Sequence, residues 1–117
     1  MLALTPSTTI YLAVEPTDMR KGFDGLSRIV TEHIEKNVLE GGLYVFVNRR
    51  GDRMKLLWWD QDGLAFFYKR LESGTFQMPP IGADCRSVLL TPTELSLILG
   101  GIDLASARQR RRYRRTA

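Results

Sequence analysis

Asp60, Asp62 and Glu72 are the residues of this chain whose type and spacing could serve phosphodiester chemistry, because a metal-dependent nuclease needs two or three carboxylates converging on Mg²⁺. The same positions have a plainer reading. Asp60-Gln61-Asp62-Gly63 has the composition of a hairpin turn, in which Asp bonds its own backbone and Gly accepts positive φ. The restriction-nuclease pattern of an acid two residues ahead of a lysine is also absent, since Met19, Ile34, Arg53 and Phe67 stand at those places before Lys21, Lys36, Lys55 and Lys69. One cysteine, Cys85, and one histidine, His33, rule out an intramolecular disulfide and a Cys/His zinc site, and leave a thiol nucleophile without a nearby imidazole. No glycine-rich phosphate loop is present. The chain therefore reads as non-enzymatic, with no catalytic residue, metal or cofactor expected.

The stronger signal is the alternation of basic and aromatic side chains from Asn48 to Leu71. Three apolar-rich runs, Leu43 to Val47, Met54 to Trp59 and Leu64 to Leu71, are separated by Asn48-Arg49-Arg50-Gly51-Asp52 and by Asp60-Gln61-Asp62-Gly63, which read as hairpin turns of five and four residues. The segment is expected to be a three-stranded antiparallel meander. A period of two places Met54, Leu56 and Trp58 on a core face, with Leu64, Phe66 and Tyr68 as the matching apolar set. The opposite face then carries Arg53, Lys55, Leu57 and Trp59, with Ala65, Phe67, Lys69 and Leu71 beside them. Cations next to flat rings suit phosphates and stacked bases. A half-buried sheet face, or one covered by a helix, would have the same composition.

Arg20 and Lys21 stand where a helix should begin, a place the macrodipole makes unfavourable for cations and favourable for an anion. An ion pair of Arg20 with Asp24 is the alternative account. Arg50-Gly51-Asp52 matches an integrin-binding tripeptide but is what any tight charged turn can produce. The C-terminal run Arg108-Gln109-Arg110-Arg111-Arg112-Tyr113-Arg114-Arg115 suits a polyanion by charge density alone. It also conceals a division of charge: six of the 17 basic residues lie between Arg108 and Arg115, leaving 11 against all 13 acidic residues in the rest of the chain. Local clustering, not net charge, must carry any nucleic-acid argument for the folded part.

The remaining sequence supplies the elements that would position these groups. Ile10 to Val14 is a β-branched and aromatic run ended by Glu15-Pro16, consistent with a first strand. From Asp18 onward, Phe23, Leu26, Ile29, Val30 and Ile34 make the stripe of an amphipathic helix, with Thr17 or Asp18 as N-cap. Gly22 and Gly25 within it would each cost roughly 0.5–1 kcal/mol relative to Ala, which a close approach of helix to sheet could offset. Thr75 to Met78 reads as a short extended piece and Ser87 to Leu90 as another strand. Thr91-Pro92-Thr93-Glu94 has the form of a capping box with Pro at the first helical position, opening a second helix whose apolar face is Leu95, Ile98 and Leu99 and whose stop is Gly100-Gly101. At 117 residues and 44% hydrophobic content the chain suffices for one domain, here residues 1–104, followed by the tail 105–117. No apolar run spans a bilayer and Met1 to Ile10 lacks the pattern of a leader, so a cytoplasmic protein without membrane contact is expected.

Pro16-Thr17-Asp18-Met19-Arg20-Lys21-Gly22-Phe23-Asp24-Gly25-Leu26, the run Leu43 to Arg53, Lys55-Leu56-Leu57-Trp58-Trp59-Asp60, Gly63-Leu64, Tyr68 to Glu72 and Gly101-Ile102-Asp103 closely resemble the TnpB-type accessory protein of bacterial insertion sequences in the family numbered sixty-six. The resemblance covers about residues 1–104 and leaves the arginine tail outside. It implies a small second open reading frame that accompanies a separate, larger transposase bearing the acidic catalytic triad. Transposition, through DNA or through the transposase, is the implied role. Taken together, the expectation is an α+β domain, an antiparallel sheet with one packed amphipathic helix and a short C-terminal helix, acting as a non-catalytic accessory factor that binds DNA. Arg49, Arg50, Arg53, Lys55, Trp59 and Lys69 would form the main surface, extended by Arg20 and Lys21 and by Arg110, Arg111 and Arg112 of the tail. The alternative is a protein-interaction module, with Trp59, Phe67 and Leu57 as an apolar patch docked on the co-encoded transposase.

Overall fold

The computed structural model describes residues 4–80 and 86–101. The strands are β1 (Ile10–Ala13), β2 (Leu43–Val47), β3 (Arg53–Asp60), β4 (Gly63–Arg70) and β5 (Ser87–Leu90), and the helices are α1 (Phe23–Ile29) and α2 (Pro92–Leu99). They form an α+β fold around one open sheet of order β4-β3-β2-β1-β5. The meander β2-β3-β4 is antiparallel as its turn residues dictate, and β5 pairs antiparallel with β1. The sheet as a whole is nevertheless mixed, because β1 and β2 run parallel. The chain between them carries α1, and a helical crossover of that length is what a parallel pair requires.

Both faces of the sheet are covered. On one, Leu26 of α1 and Val30 of the turn that continues it lie over Tyr44, Phe46 and Leu57, with Ile34 and Val38 closing the layer. On the other, Ile10, Leu12, Val45, Met54 and Leu56 meet Leu95 and Ile98 of α2 and the ring of Phe76. Full burial of a side chain such as Leu57 contributes roughly 1.5–3 kcal/mol, so two such layers are what make a small sheet stable. Trp58 lies half-buried against the α2 side, the core position expected of it.

The faces of β4 are the reverse of the expected ones. Asp60 pairs with Gly63, so only Gln61 and Asp62 form the turn; Gln61 takes φ +60° and the Asp62 N–H donates to Asp60 O at 2.6 Å. The register places Leu56 opposite Phe67, Leu57 opposite Phe66 and Lys55 opposite Tyr68. Residues of opposite parity therefore share a face, and Leu64, Phe66 and Tyr68 lie on the α1 side of the sheet with Lys55 and Leu57, not with Met54 and Leu56.

The first helix also starts later than its stripe suggests. Asp18 accepts the Arg20 N–H on Oδ1 at 2.9 Å and the Lys21 N–H on its carbonyl at 3.1 Å, a local turn that keeps residues 18–21 out of the helix. Gly22 is the N-cap, with no atom close enough to a Cβ to explain it, and Gly25 faces the Lys21 side chain, not the sheet. The helix then widens into a π-helical turn over Val30–Ile34 and stops where Glu35 takes φ +63° and the Lys36 N–H reaches Val30 O at 3.0 Å. The capping box of α2 forms as read: Thr91 Oγ1 accepts from Glu94 N at 3.0 Å and Glu94 Oε1 from Thr91 N at 2.8 Å. Thr75 to Met78 forms no strand; Phe76 is fixed singly, its N–H donating to Gly51 O at 2.8 Å.

Candidate nucleic-acid interface

The turn Asn48–Asp52 between β2 and β3 is built around one side chain. Asn48 Oδ1 accepts the Arg53 N–H at 2.9 Å, its Nδ2 donates to Asp52 Oδ1 at 2.7 Å, and its carbonyl receives the Gly51 N–H at 3.1 Å. Gly51 supplies the positive φ, +77°, that this tight path needs. Two further bonds, Leu71 N to Asp52 O and Phe76 N to Gly51 O, both 2.8 Å, tie the turn to the segment after β4. A third segment is attached from the other side, since buried Thr17 donates its N–H to Val47 O at 2.9 Å. Backbone held at this many points presents its side chains from a fixed base.

Between the Pro16–Arg20 loop and this turn lies a cleft of about 500 Å³ whose lining includes Arg20, Arg49, Arg50 and Arg53. Asp18 and Asp52 are its acids, and both are engaged. Arg20 and Asp18 form a two-pronged ion pair, 2.7 Å at its shortest, not the Arg20–Asp24 pair that helical spacing allows. The Arg20 guanidinium and then its backbone N–H hold the Asp18 carboxyl well below the usual range, and Asp18 in turn raises Arg20. The Asn48 amide, with Arg50 and Arg53 nearby, lowers Asp52. Arg53 donates to Tyr68 Oη at 3.3 Å. Arg49 and Arg50 are exposed and make no ion pair among the described residues.

The other expected contacts are distributed elsewhere. Lys55 is only 4% exposed: its Nζ donates to the carbonyls of Met19 and Lys21 at 2.8 and 2.7 Å and lies 4.8 and 4.7 Å from the ring centres of Phe66 and Tyr68. Alternation placed Lys55 on a cationic face, but α1 and its approach loop cover that face, so the ammonium is an internal anchor and is withdrawn from any contact surface. Lys69 belongs to the α2 side, where its Nζ donates to Leu99 O at 3.2 Å near the helix C-terminus. Trp59 is exposed but lies at the far end of β3 from Arg53, roughly 20 Å away at strand rise. Lys21 lines a separate cleft with Arg28, His33 and Arg86. Leu57 is fully buried, and Trp59 and Phe67 point to opposite faces, so those three do not form one apolar patch. Cys85, Arg110, Arg111 and Arg112 lie outside the described residues.

Sequence reasoning missed Asn48 as the organiser of the site. Its signal is an Asn followed by Gly three residues later and Asp four residues later, a pattern that any tight turn shares. Asp60 and Asp62 sit at one end of β4 and Glu72 beyond the other, and no group of three or more His, Cys, Asp or Glu among the described residues could hold a metal ion.

Residues 8–109 match the family described as IS66 Orf2-like protein. The chain belongs to that family. Two curated relatives from Sinorhizobium fredii are similar over 103 residues: the uncharacterized protein y4hO is 38% identical, covering 88% of each chain, and the uncharacterized protein y4jC is 32% identical, covering 88% of this chain and 86% of its own. No solved structure matches. IS66 Orf2-like membership places the chain among transposition accessory proteins of insertion sequences. No helix among the described residues of this IS66 Orf2-like protein is long and apolar enough to cross a membrane.

Proposed function

We propose that this protein is a non-catalytic accessory factor of DNA transposition that grips the phosphate backbone of duplex DNA in the arginine-lined cleft between the Pro16–Arg20 loop and the Asn48–Asp52 turn. One observation carries the reading: Arg20, Arg49, Arg50 and Arg53, drawn from two segments about 30 residues apart in sequence, line a single cleft whose acids are already engaged. Guanidinium groups present planar forks that match phosphate oxygens, and a base fixed by Asn48 keeps them in place. Contacts of this kind position a protein on DNA and carry no base code. Strand cleavage belongs in this reading to the separate transposase, the second partner.

Fluorescence anisotropy with labelled duplex from the element's ends tests it. Arg49→Ala/Arg50→Ala should weaken binding by about tenfold or more, two lost charge-assisted contacts being worth over 1.4 kcal/mol together. Trp59→Ala, at the opposite end of the sheet, should leave affinity unchanged. Wild-type affinity in the double variant would remove the cleft from the site; capture of the transposase in high salt without any DNA affinity would transfer the role to protein docking.

A further inference from the structure

β4 ends the sheet with a free edge. Among the described residues nothing pairs with its outer side, and its sequence, Gly-Leu-Ala-Phe-Phe-Tyr-Lys-Arg, contains no Pro. The opposite edge, β5, has four residues; β4 has eight. Long, regular, aromatic edges are what soluble proteins ordinarily blunt, because their unpaired N–H and C=O groups template another strand. The direction of those groups follows from the ladder. The Leu71 N–H donates to Asp52 O, so bonded pairs alternate from there through Met54 and Lys69 to Leu56 and Phe67. Leu64, Phe66, Tyr68 and Arg70 therefore turn their backbone groups outward. Phe67 and Tyr68 are more than two-fifths exposed along the same strand.

We infer that this edge is an interface between two copies of the chain, joined β4 to β4 in antiparallel sense about a two-fold axis through Phe66, giving one continuous ten-stranded sheet. Charge favours a second copy as the occupant. With Phe66 opposite itself, Leu64 faces Tyr68 of the second copy, small Ala65 faces Phe67, and Asp62 of the turn faces Arg70. Each end of the interface thus joins an acid to a cation, and the two copies' cations lie at opposite ends. Arg70 is exposed and, among the described residues, is ion-paired with its neighbour Glu72, at 3.0 Å. Residues outside the strand stay where they are, because the outward N–H and C=O groups already have the geometry of a ladder.

Sedimentation equilibrium of the full chain at about 0.1 M salt, freed of nucleic acid, tests the interface apart from the arginine cleft, whose status does not affect the result. The wild type should be a dimer. Tyr68→Pro removes an outward N–H while sparing the backbone bonds between β3 and β4, the setting in which an edge strand tolerates proline, and should yield a folded monomer, whereas Tyr68→Ala, which gives up the same ring and its bond from Arg53 but keeps the N–H, should remain a dimer. Arg70→Asp and Asp62→Arg, each placing like charges opposite one another at both ends, should each weaken dimerisation roughly fivefold or more, and the double reversal should restore it. A monomeric wild type would overturn the inference. So would a dimer that Tyr68→Pro and both single reversals leave intact.

Discussion

Replacing Lys55 by Met separates two accounts of the basic pattern in β3, because it removes the ammonium while keeping an unbranched side chain. Nζ bridges the carbonyls of Met19 and Lys21 and lies above two aromatic rings, so it ties the loop preceding α1 to the middle of the sheet. Each bond from a charged donor has a net worth of roughly 1.5–3 kcal/mol, and its loss leaves a carbonyl short of a partner. Relief of the cost of burying the ammonium offsets part of this. The expected destabilisation is about 2–4 kcal/mol, a large part of the 5–15 kcal/mol typical of a domain. In urea this should appear as a lower midpoint at unchanged slope, and on heating as a fall in Tm of about 10 °C. DNA affinity, measured where the variant is still fully folded, should match that of the wild type. A variant of wild-type stability that binds DNA less well would refute the reasoning and return Lys55 to the contact surface.

Other substitutions and conditions test different parts of the structure. Asn48→Ala should cost about 1–3 kcal/mol, by urea unfolding, and reduce DNA affinity as well, because the turn that carries Arg49 and Arg50 loses both side-chain bonds. Thr91→Ala should cost about 1 kcal/mol through loss of the capping box, with no effect on DNA binding. Asp18 and Asp52 are both held below their ordinary value of 3.8, so the unfolded chain takes up protons first as pH falls; stability from these groups is complete above about pH 5 and declines through the acid range, and Asp52→Ala should flatten that decline. Burial pushes Tyr44 up from 10.0 to about 12, so its contribution is whole below pH 10 and is lost as pH rises toward 12; Tyr44→Phe should remove that part of the alkaline transition.

Much of the architecture could be read because local chemistry decided it. Thr91, Pro92 and Glu94 define the start of α2, the turn residues define the meander, and the stripe from Leu26 to Ile34 defines the packed face of the first helix. The faces of β4 follow from the parity of its turn: two residues or four, an even-numbered turn puts Trp59 opposite Leu64 and Leu57 opposite Phe66, whereas grouping Leu64, Phe66 and Tyr68 with Met54 and Leu56 needs an odd-numbered one. The parallel pairing of β1 with β2 and the covering of both sheet faces arise from tertiary contacts, and these account for the altered role of Lys55. Its sequence neighbours, Arg53 and Trp59, gave no sign that a carbonyl pair 34 to 36 residues earlier would enclose it. Of the site, Arg20 proved to share an edge with Arg49, Arg50 and Arg53, whereas Lys69 and Trp59 belong to other surfaces.

The claim that the cleft holds DNA phosphates is tested most directly by the salt dependence of binding. Affinity for a duplex should fall linearly on a logarithmic plot against salt, with a slope near −0.9 per neutralised phosphate. Arg49→Ala/Arg50→Ala should reduce the magnitude of that slope by about 2 if each arginine contacts one phosphate. A slope identical to that of the wild type, at any affinity, would contradict the account.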